Sequence, residues 1–211
     1  MHIEPGYVAL TKVALANISA IGLLGYYARD LLPRPTSWLR AGLAAIFFSL
    51  FMQSFHMPVG PSELHFVGAM AMYLTLGFIP TLFGFAVGLG LQGLLFEPTD
   101  LVHLGVNSLS LIVPLIVLHK TLGAKIGDVT KLRWRDILKM DGMYYTGLSI
   151  MVGFWLMIGD VATPVSAWAA WASSYLAVVA FEPLFTYASL RLLARYRDNR
   201  IVTTCFAIKA A

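Results

Sequence analysis

The chain has 211 residues, of which 58% are hydrophobic and 12% are charged, and its mean hydropathy is +0.74. Soluble domains are about 25% charged, so this composition predicts an integral membrane protein and excludes an ordinary soluble domain. The formal net charge of +4 comes from basic connectors between apolar segments and does not indicate nucleic-acid binding. The one cysteine, Cys205, excludes an intrachain disulfide and a cysteine cage for a metal ion.

Seven apolar segments predict the membrane-spanning helices of a single transmembrane domain, residues 1–211. A helix needs about 20 apolar residues to cross the hydrocarbon core, so the contiguous stretch 64–96 is too long for one untilted span. We expect a break near Pro80, because proline disrupts the helix that precedes it. The predicted spans are 7–27, 41–57, 64–79, 80–96, 101–119, 143–158 and 165–190.

Charged residues predict how these spans are oriented. Lysine and arginine are concentrated in residues 29–40, 120–139 and 191–209, whereas the other connectors carry only acidic charges, such as Glu63 and Asp160. The positive-inside rule places the basic segments in the cytoplasm. The sequence therefore predicts an all-α, multi-pass protein of the cell membrane with seven transmembrane helices, an external N-terminus and a cytoplasmic C-terminus.

The chain begins with Met1-His2, and this start can chelate a metal ion. The free amine of Met1, the backbone nitrogen of His2 and the His2 ring can close adjacent rings around one ion. Three in-plane nitrogens suit Ni(II), Cu(II) or low-spin Co(II), and a fourth ligand from elsewhere would complete the plane. Taken alone, however, a Met-His start is more typical of an unstructured terminus.

The external connector at residues 55–65 carries two further histidines, His56 and His65. Its prolines and glycine predict an ordered loop rather than a helix. His65 stands at the start of the third span, where it can point into the bundle toward the N-terminus. A lone histidine at a helix end more often has an interfacial structural role. His65 is a candidate metal ligand only because His2 needs a partner on the same face.

Polar and ionisable residues within the spans are few. Asn107, Ser108 and Ser110 must hydrogen-bond inside the protein, since lipid offers no partner. Two interpretations are open: these side chains connect helices, or they orient an imidazole that binds the metal. Lys12 can reach outward to the interface, whereas Glu182 is either a functional acid or half of a structural pair.

The sequence contains none of the motifs of common catalytic sites. It has no G-x-x-x-x-G-K-[ST] loop for ATP, no H-E-x-x-H and no G-x-S-x-G. We therefore expect that the chain is not an enzyme and has no ATPase of its own.

Three stretches together resemble the CbiM/NikM family, the membrane substrate-binding components of energy-coupling factor transporters for cobalt and nickel. The first is the start Met1-His2-Ile3-Glu4-Pro5-Gly6, the second is the Pro/Gly/Ser loop with its histidine in residues 58–69, and the third is Leu104-Gly105-Val106-Asn107. The resemblance covers about the first half of the chain, in order.

The resemblance implies a metal site and a set of partners. The N-terminus would fold back into the bundle, and the Met1 amine, the His2 backbone nitrogen and ring, and the loop histidine would hold one Ni(II) or Co(II) ion as the transported substrate, with no organic cofactor. The loop histidine corresponds to His65, with His56 as the alternative because the loop looks one residue longer than usual. Energy would come from two ATPase subunits through a separate transmembrane coupling subunit.

Two other functions remain open on sequence grounds. A membrane electron-transfer protein would use the histidines as haem ligands, although most of them lie at helix ends rather than facing each other within spans. A ligand-free assembly subunit would use them only to line an interface, and His103 is an additional external histidine of unassigned role. The sequence does not separate nickel from cobalt.

Overall fold

Long apolar runs with few helix-breaking residues form most of the structure. The computed structural model describes residues 3, 6–59 and 62–208. Within these residues the helices are α1 (Leu10–Leu31), α2 (Pro35–Ser54), α3 (Ala69–Leu76), α4 (Phe78–Leu95), α5 (Leu104–Thr121), α6 (Trp134–Met157), α7 (Val165–Arg195) and α8 (Arg200–Cys205). Two short strands, β1 (His56–Val59) and β2 (Ser62–His65), lie between α2 and α3.

Several of these helices are suited to a membrane. Among the described residues, four helical stretches are long and apolar enough to cross a bilayer: Pro35–Ser54, Phe78–Leu95, Pro98–Thr121 and Val165–Arg195. The helices α1 and α6 are of similar length, with 22 and 24 residues, but they carry charged residues such as Lys12 and Asp141. The structure thus agrees with a helical membrane protein.

The connector between α2 and α3 is a β-hairpin, so the protein is not entirely α-helical. The strands β1 and β2 pair antiparallel, with His56 opposite His65 and Val59 opposite Ser62. Pro58 disfavours a helix at this point, and it pairs opposite Glu63 in the hairpin. Because alternate residues of a strand share a face, the hairpin places Glu63 and His65 on the same side of β2.

The helix break expected near Pro80 is present, but it falls three residues earlier, at Gly77. Gly77 has a φ of +99°, a conformation that glycine adopts without a steric penalty. Pro80 is instead the third residue of α4, where a missing backbone N–H costs nothing because the first turn of a helix has no partner for it.

The segment predicted as a helix over residues 64–79 is helical only in α3 and in its last two residues, which begin α4. The preceding residues form β2 and a short non-helical stretch, residues 66–68, which ends with Gly68 in the left-handed region. With eight residues, α3 is about 12 Å long. Nearly every residue from Ser62 to Leu76 is buried. This segment therefore runs through the interior of the bundle, half of it extended and half helical.

Glycines of α4 let α2 and α4 pack closely, because small residues allow two helices to approach each other. A Cβ atom built on Gly88 would lie 2.6 Å from Cδ1 of Phe48, and one built on Gly84 would overlap Ala44. Only hydrogen fits at these positions, so the two helices touch backbone to side chain.

Hydrogen bonds define the two ends of the bundle. At one end, Lys12 Nζ donates to Ile158 O and Asp160 Oδ1, each over 2.7 Å, and so joins the start of α1 to the connector after α6. At the other end, the Arg40 guanidinium donates to the carbonyl oxygen of Phe206 over 2.7 Å, and the Ala207 amide donates to Thr75 O over 2.6 Å. The starts of α1 and α2 are thus at opposite ends.

Candidate metal centre

The beginning of the described chain lies inside the bundle rather than on its surface. Ile3 is fully buried and forms an isolated antiparallel bridge with Ser62 of β2. Its backbone N–H donates to the Asn107 side-chain oxygen over 3.3 Å. Ile3 is therefore held between β2 and α5. Met1 and His2, the two residues that the sequence predicts as metal ligands, lie outside the described residues.

His65 is buried at the end of β2, next to a carboxylate. Its Nδ1 lies 3.3 Å from the Met52 carbonyl oxygen and its Nε2 lies 2.9 Å from Glu63 Oε2. Both partners are oxygens, so both contacts are satisfied when the ring carries two protons or when the carboxyl group carries one. A metal ion bound to either ring nitrogen would displace a proton.

His56 lies across the hairpin from His65 and has a different environment. The two imidazole rings have centroids 6.2 Å apart and planes inclined by 26°. His56 is exposed, whereas His65 is only 3% exposed. The hairpin therefore brings the two candidate ligands together, but it buries only His65.

Three side chains of α7 bind the backbone around His65. Trp171 Nε1 donates to Glu63 O over 3.4 Å, and the Tyr175 hydroxyl donates to His65 O over 3.1 Å. The Glu182 carboxylate accepts hydrogen bonds from three consecutive backbone N–H groups, those of Val67, Gly68 and Ala69, at 2.9, 2.7 and 3.1 Å. Glu182 thus has structural partners at the start of α3.

Two of the three polar residues that the sequence predicts on one span have different partners. Asn107, Ser108 and Ser110 are all buried in α5. Asn107 contacts the N-terminal segment through Ile3, whereas the Ser110 hydroxyl donates to Val106 O, one turn earlier in the same helix, over 2.9 Å. The structure therefore brings Asn107, but not Ser110, to the N-terminal segment.

Two further buried polar groups lie in the bundle. His103 is 2% exposed and its Nδ1 has no hydrogen-bond partner among the described residues. Asp141 is 1% exposed and neither of its carboxylate oxygens has such a partner. Asp141 lies outside the predicted sixth span, which begins at residue 143, whereas α6 begins at Trp134.

The sequence spacing of other residues at the site could have shown that they share one face of a strand or helix. Glu63 and His65 are separated by two residues, the spacing that puts side chains on one face of a strand. Trp171, Tyr175 and Glu182 follow the spacing that puts side chains on one face of a helix. Within residues 3, 6–59 and 62–208, no group of three or more His, Cys, Asp or Glu side chains could hold a metal ion.

The sequence of the chain is similar to those of known proteins. Residues 2–200 match a family described as the cobalt uptake substrate-specific transmembrane region, CbiM. The chain is also 34% identical, over 107 residues, to a fused nickel transport protein, NikMN, of Archaeoglobus fulgidus. The alignment covers 51% of this chain but only 36% of that relative, so the chain matches little more than a third of the relative's length.

Solved structures share the fold. A crystal structure of a transition metal transporter superposes with a TM-score of 0.73 and 20% identity, covering 96% of each chain. A truncated transition metal transporter superposes with a TM-score of 0.65 and 17% identity, covering 93% of this chain and 97% of the other. At these identities the superpositions show a common fold over nearly the whole chain.

Proposed function

The chain belongs to the family of cobalt-uptake substrate-specific transmembrane proteins, and from this premise we propose that it binds Ni(II) or Co(II) on the external face of the membrane for ATP-driven uptake. One observation carries the proposal: Ile3 is buried in a bridge with Ser62. In an antiparallel bridge the residues before one partner face the residues after the other. His65 comes three residues after Ser62, and this is the histidine that the hairpin buries.

The proposed ligands are four nitrogens in one plane. They are the Met1 amine, the His2 backbone nitrogen, the His2 ring and the ring of His65. Such a plane suits the tetragonal preference of Ni(II) and low-spin Co(II). Burial favours His65 over the exposed His56 as the fourth ligand, and Glu63 at 2.9 Å from Nε2 can fix the ring orientation.

We propose that the chain forms a single domain of seven spans with an external N-terminus and a cytoplasmic C-terminus. In this topology six helices cross the membrane, and the buried segment of β2 and α3, third in chain order, supplies the remaining crossing. A non-helical backbone is tolerated at membrane depth only where protein surrounds it, and residues 62–76 meet that condition. The acidic connectors and His65 then share the external face, while the basic connectors lie in the cytoplasm of a cell-membrane protein.

The proposed partners are a transmembrane coupling subunit and two ATPase subunits. The family description "substrate-specific" supports a division of labour in which this chain binds the cargo and other subunits supply energy. The basic connector 122–133 is a candidate docking face. It has local order, because the Thr130 hydroxyl and backbone N–H both donate to Asp128 and thereby hold the pKa of Asp128 below its usual value.

Family membership favours metal uptake over the two alternatives that the sequence left open. A haem-bearing electron-transfer protein and a ligand-free assembly subunit have no support in the comparisons, each of which points to metal transport. Nickel and cobalt remain alternatives for the substrate, since the family description names cobalt and the relative is a nickel transport protein.

The decisive test is a metal titration of purified protein with a native, untagged N-terminus. We expect one Ni(II) or Co(II) ion per chain in the wild type. Binding should be lost in His2→Ala and in a variant with one residue added before Met1, because both changes destroy the amine–amide–imidazole chelate. Equal binding in the extended variant would show that the N-terminal amine is not a ligand and would overturn the proposed site.

A further inference from the structure

One face of α7 binds the segment that carries the proposed metal ligand His65. At 3.6 residues per turn, Trp171, Tyr175 and Glu182 project within about 40° of one another around the helix axis. Each uses its side chain to bind backbone atoms between residues 63 and 69. A single rigid element therefore holds β2, the following turn and the start of α3.

The Glu182 carboxylate has the strongest of these contacts. The first N–H groups of a helix have no partner within the helix, and the N-terminus of a helix carries a partial positive charge. Glu182 meets both needs of α3, because its two oxygens accept from the N–H groups of Val67, Gly68 and Ala69 at 2.7–3.1 Å. The side chain is fully buried, so water does not replace these hydrogen bonds.

The backbone between β2 and α3 has little freedom to adjust. Gly68 has a φ of +64°, in the left-handed region that favours glycine. A Cβ atom at this position would lie 2.6 Å from the ring carbons Cδ2 and Cε2 of Phe51. Because Phe51 leaves no room for a side chain at Gly68 and Glu182 binds the surrounding backbone N–H groups, the turn that follows His65 is held in place.

We infer that Glu182 is a positioning residue for metal binding, which fixes the backbone after His65 and thereby aims the imidazole at the N-terminal nitrogens. This inference rests on the proposed function, because it takes His65 as a metal ligand. Tyr175 acts in the same direction through the carbonyl oxygen of His65 itself. Four ligands in one plane bind a metal ion tightly only when each is correctly placed. Loss of the hydrogen bonds from Glu182 or Tyr175 therefore lowers the metal affinity.

The test uses Glu182→Gln in the full-length protein with a native N-terminus. Glutamine keeps one acceptor oxygen but turns an NH2 group toward one of the backbone N–H donors. We expect the Ni(II) affinity to fall roughly 10- to 100-fold and the ligand-field absorption band of the bound Ni(II) to shift. In the metal-free protein, amide hydrogen exchange should become faster in residues 62–69.

A matched control comes from the same helix face. Thr186 lies one turn after Glu182, is fully buried, and its hydroxyl has no partner among the described residues. Thr186→Val therefore changes a buried polar group of α7 without touching residues 62–69. We expect its Ni(II) affinity and absorption band to equal those of the wild type.

Tyr175→Phe covers the case in which Glu182→Gln does not fold. It removes one hydroxyl and should give a smaller loss of affinity with a band shift in the same direction. If Glu182→Gln folds and retains both affinity and band, or if it fails to fold and Tyr175→Phe retains both, the positioning role is wrong. That outcome leaves wild-type binding intact, whereas failure of the proposed function shows as absence of Ni(II) binding in the wild type.

Discussion

The backbone N–H of Ile3 donates a hydrogen bond to the side-chain oxygen of Asn107 over 3.3 Å, and the two residues are 104 positions apart in sequence. Asn107 is buried in α5, so this bond ties the start of the chain to the middle of the bundle. A terminus without such ties would be free to leave. The relationship explains why a buried amide is present in a mainly apolar helix.

Replacing Asn107 by alanine should weaken metal binding. The change leaves the buried N–H of Ile3 without an acceptor and loosens the segment that precedes it. We expect the Ni(II) affinity to fall roughly 10-fold or more, measured by competition with a chelator of known affinity. Ser110→Ala is the matched control, because that hydroxyl bonds only within α5. Equal losses in the two variants would contradict a specific role for Asn107.

The two hairpin histidines should contribute very differently to Ni(II) affinity. His65→Ala removes a buried ring beside Glu63, whereas His56→Ala removes an exposed one. We expect His65→Ala to abolish high-affinity Ni(II) binding and His56→Ala to change the affinity less than threefold. Calorimetric titration of the two variants side by side decides between them. The opposite ranking would assign the fourth ligand to His56.

Metal affinity should collapse at acidic pH. Ni(II) competes with protons for the α-amine, whose ordinary pKa is about 8, and for imidazoles, whose ordinary pKa is about 6.5. Lowering the pH from 8 to 5 protonates these nitrogens, so we expect the affinity to fall at least about a thousandfold. Thermal unfolding of the metal-free protein over the same range separates this effect from unfolding. A constant affinity would show that the ligands do not titrate in this range.

Gly68→Ala should destabilise the protein. A non-glycine residue in the left-handed region costs about 1–3 kcal/mol, and the added methyl group would also press on Phe51. We expect a lower midpoint of thermal unfolding in detergent. Gly90→Ala is the control, because Gly90 lies in α4 and no atom lies within 4 Å of a Cβ built there. We expect this variant to change the free energy of unfolding by less than about 1 kcal/mol. Similar losses in both would point to a general intolerance of larger residues.

Local chemistry accounts for the parts of the fold that the sequence predicts well. Hydropathy and charge are properties of short segments, and they predict the membrane class of the chain and the approximate positions of helices such as α5 and α7. The four-residue spacing of Gly84 and Gly88 favours close packing of helices, and both glycines lie against α2. Lys12 reaches outward to Asp160 as its position near a helix end predicts.

Long-range contacts account for the parts that were not predicted. The non-helical backbone of residues 66–68 depends on Glu182, which lies more than 110 positions later in the sequence, and no local pattern reveals that partner. The same holds for Tyr175 and His65. The helix break near Pro80 was placed three residues too late for a different reason: proline is a more conspicuous helix breaker than glycine, yet it is harmless in the first turn of a helix.

The contact between Glu182 and Gly68 has a consequence for how the protein is made. Among the spans of the described chain, α7 is the last in sequence, so a ribosome completes it after all the others. Glu182 is therefore synthesised 114 residues after Gly68. Until then the N–H groups at the start of α3 lack their carboxylate, and an extended backbone with unsatisfied donors is poorly tolerated in lipid. We therefore expect the hairpin region to reach its final place last, so that a chain truncated before α7 inserts its earlier helices but never assembles a metal centre.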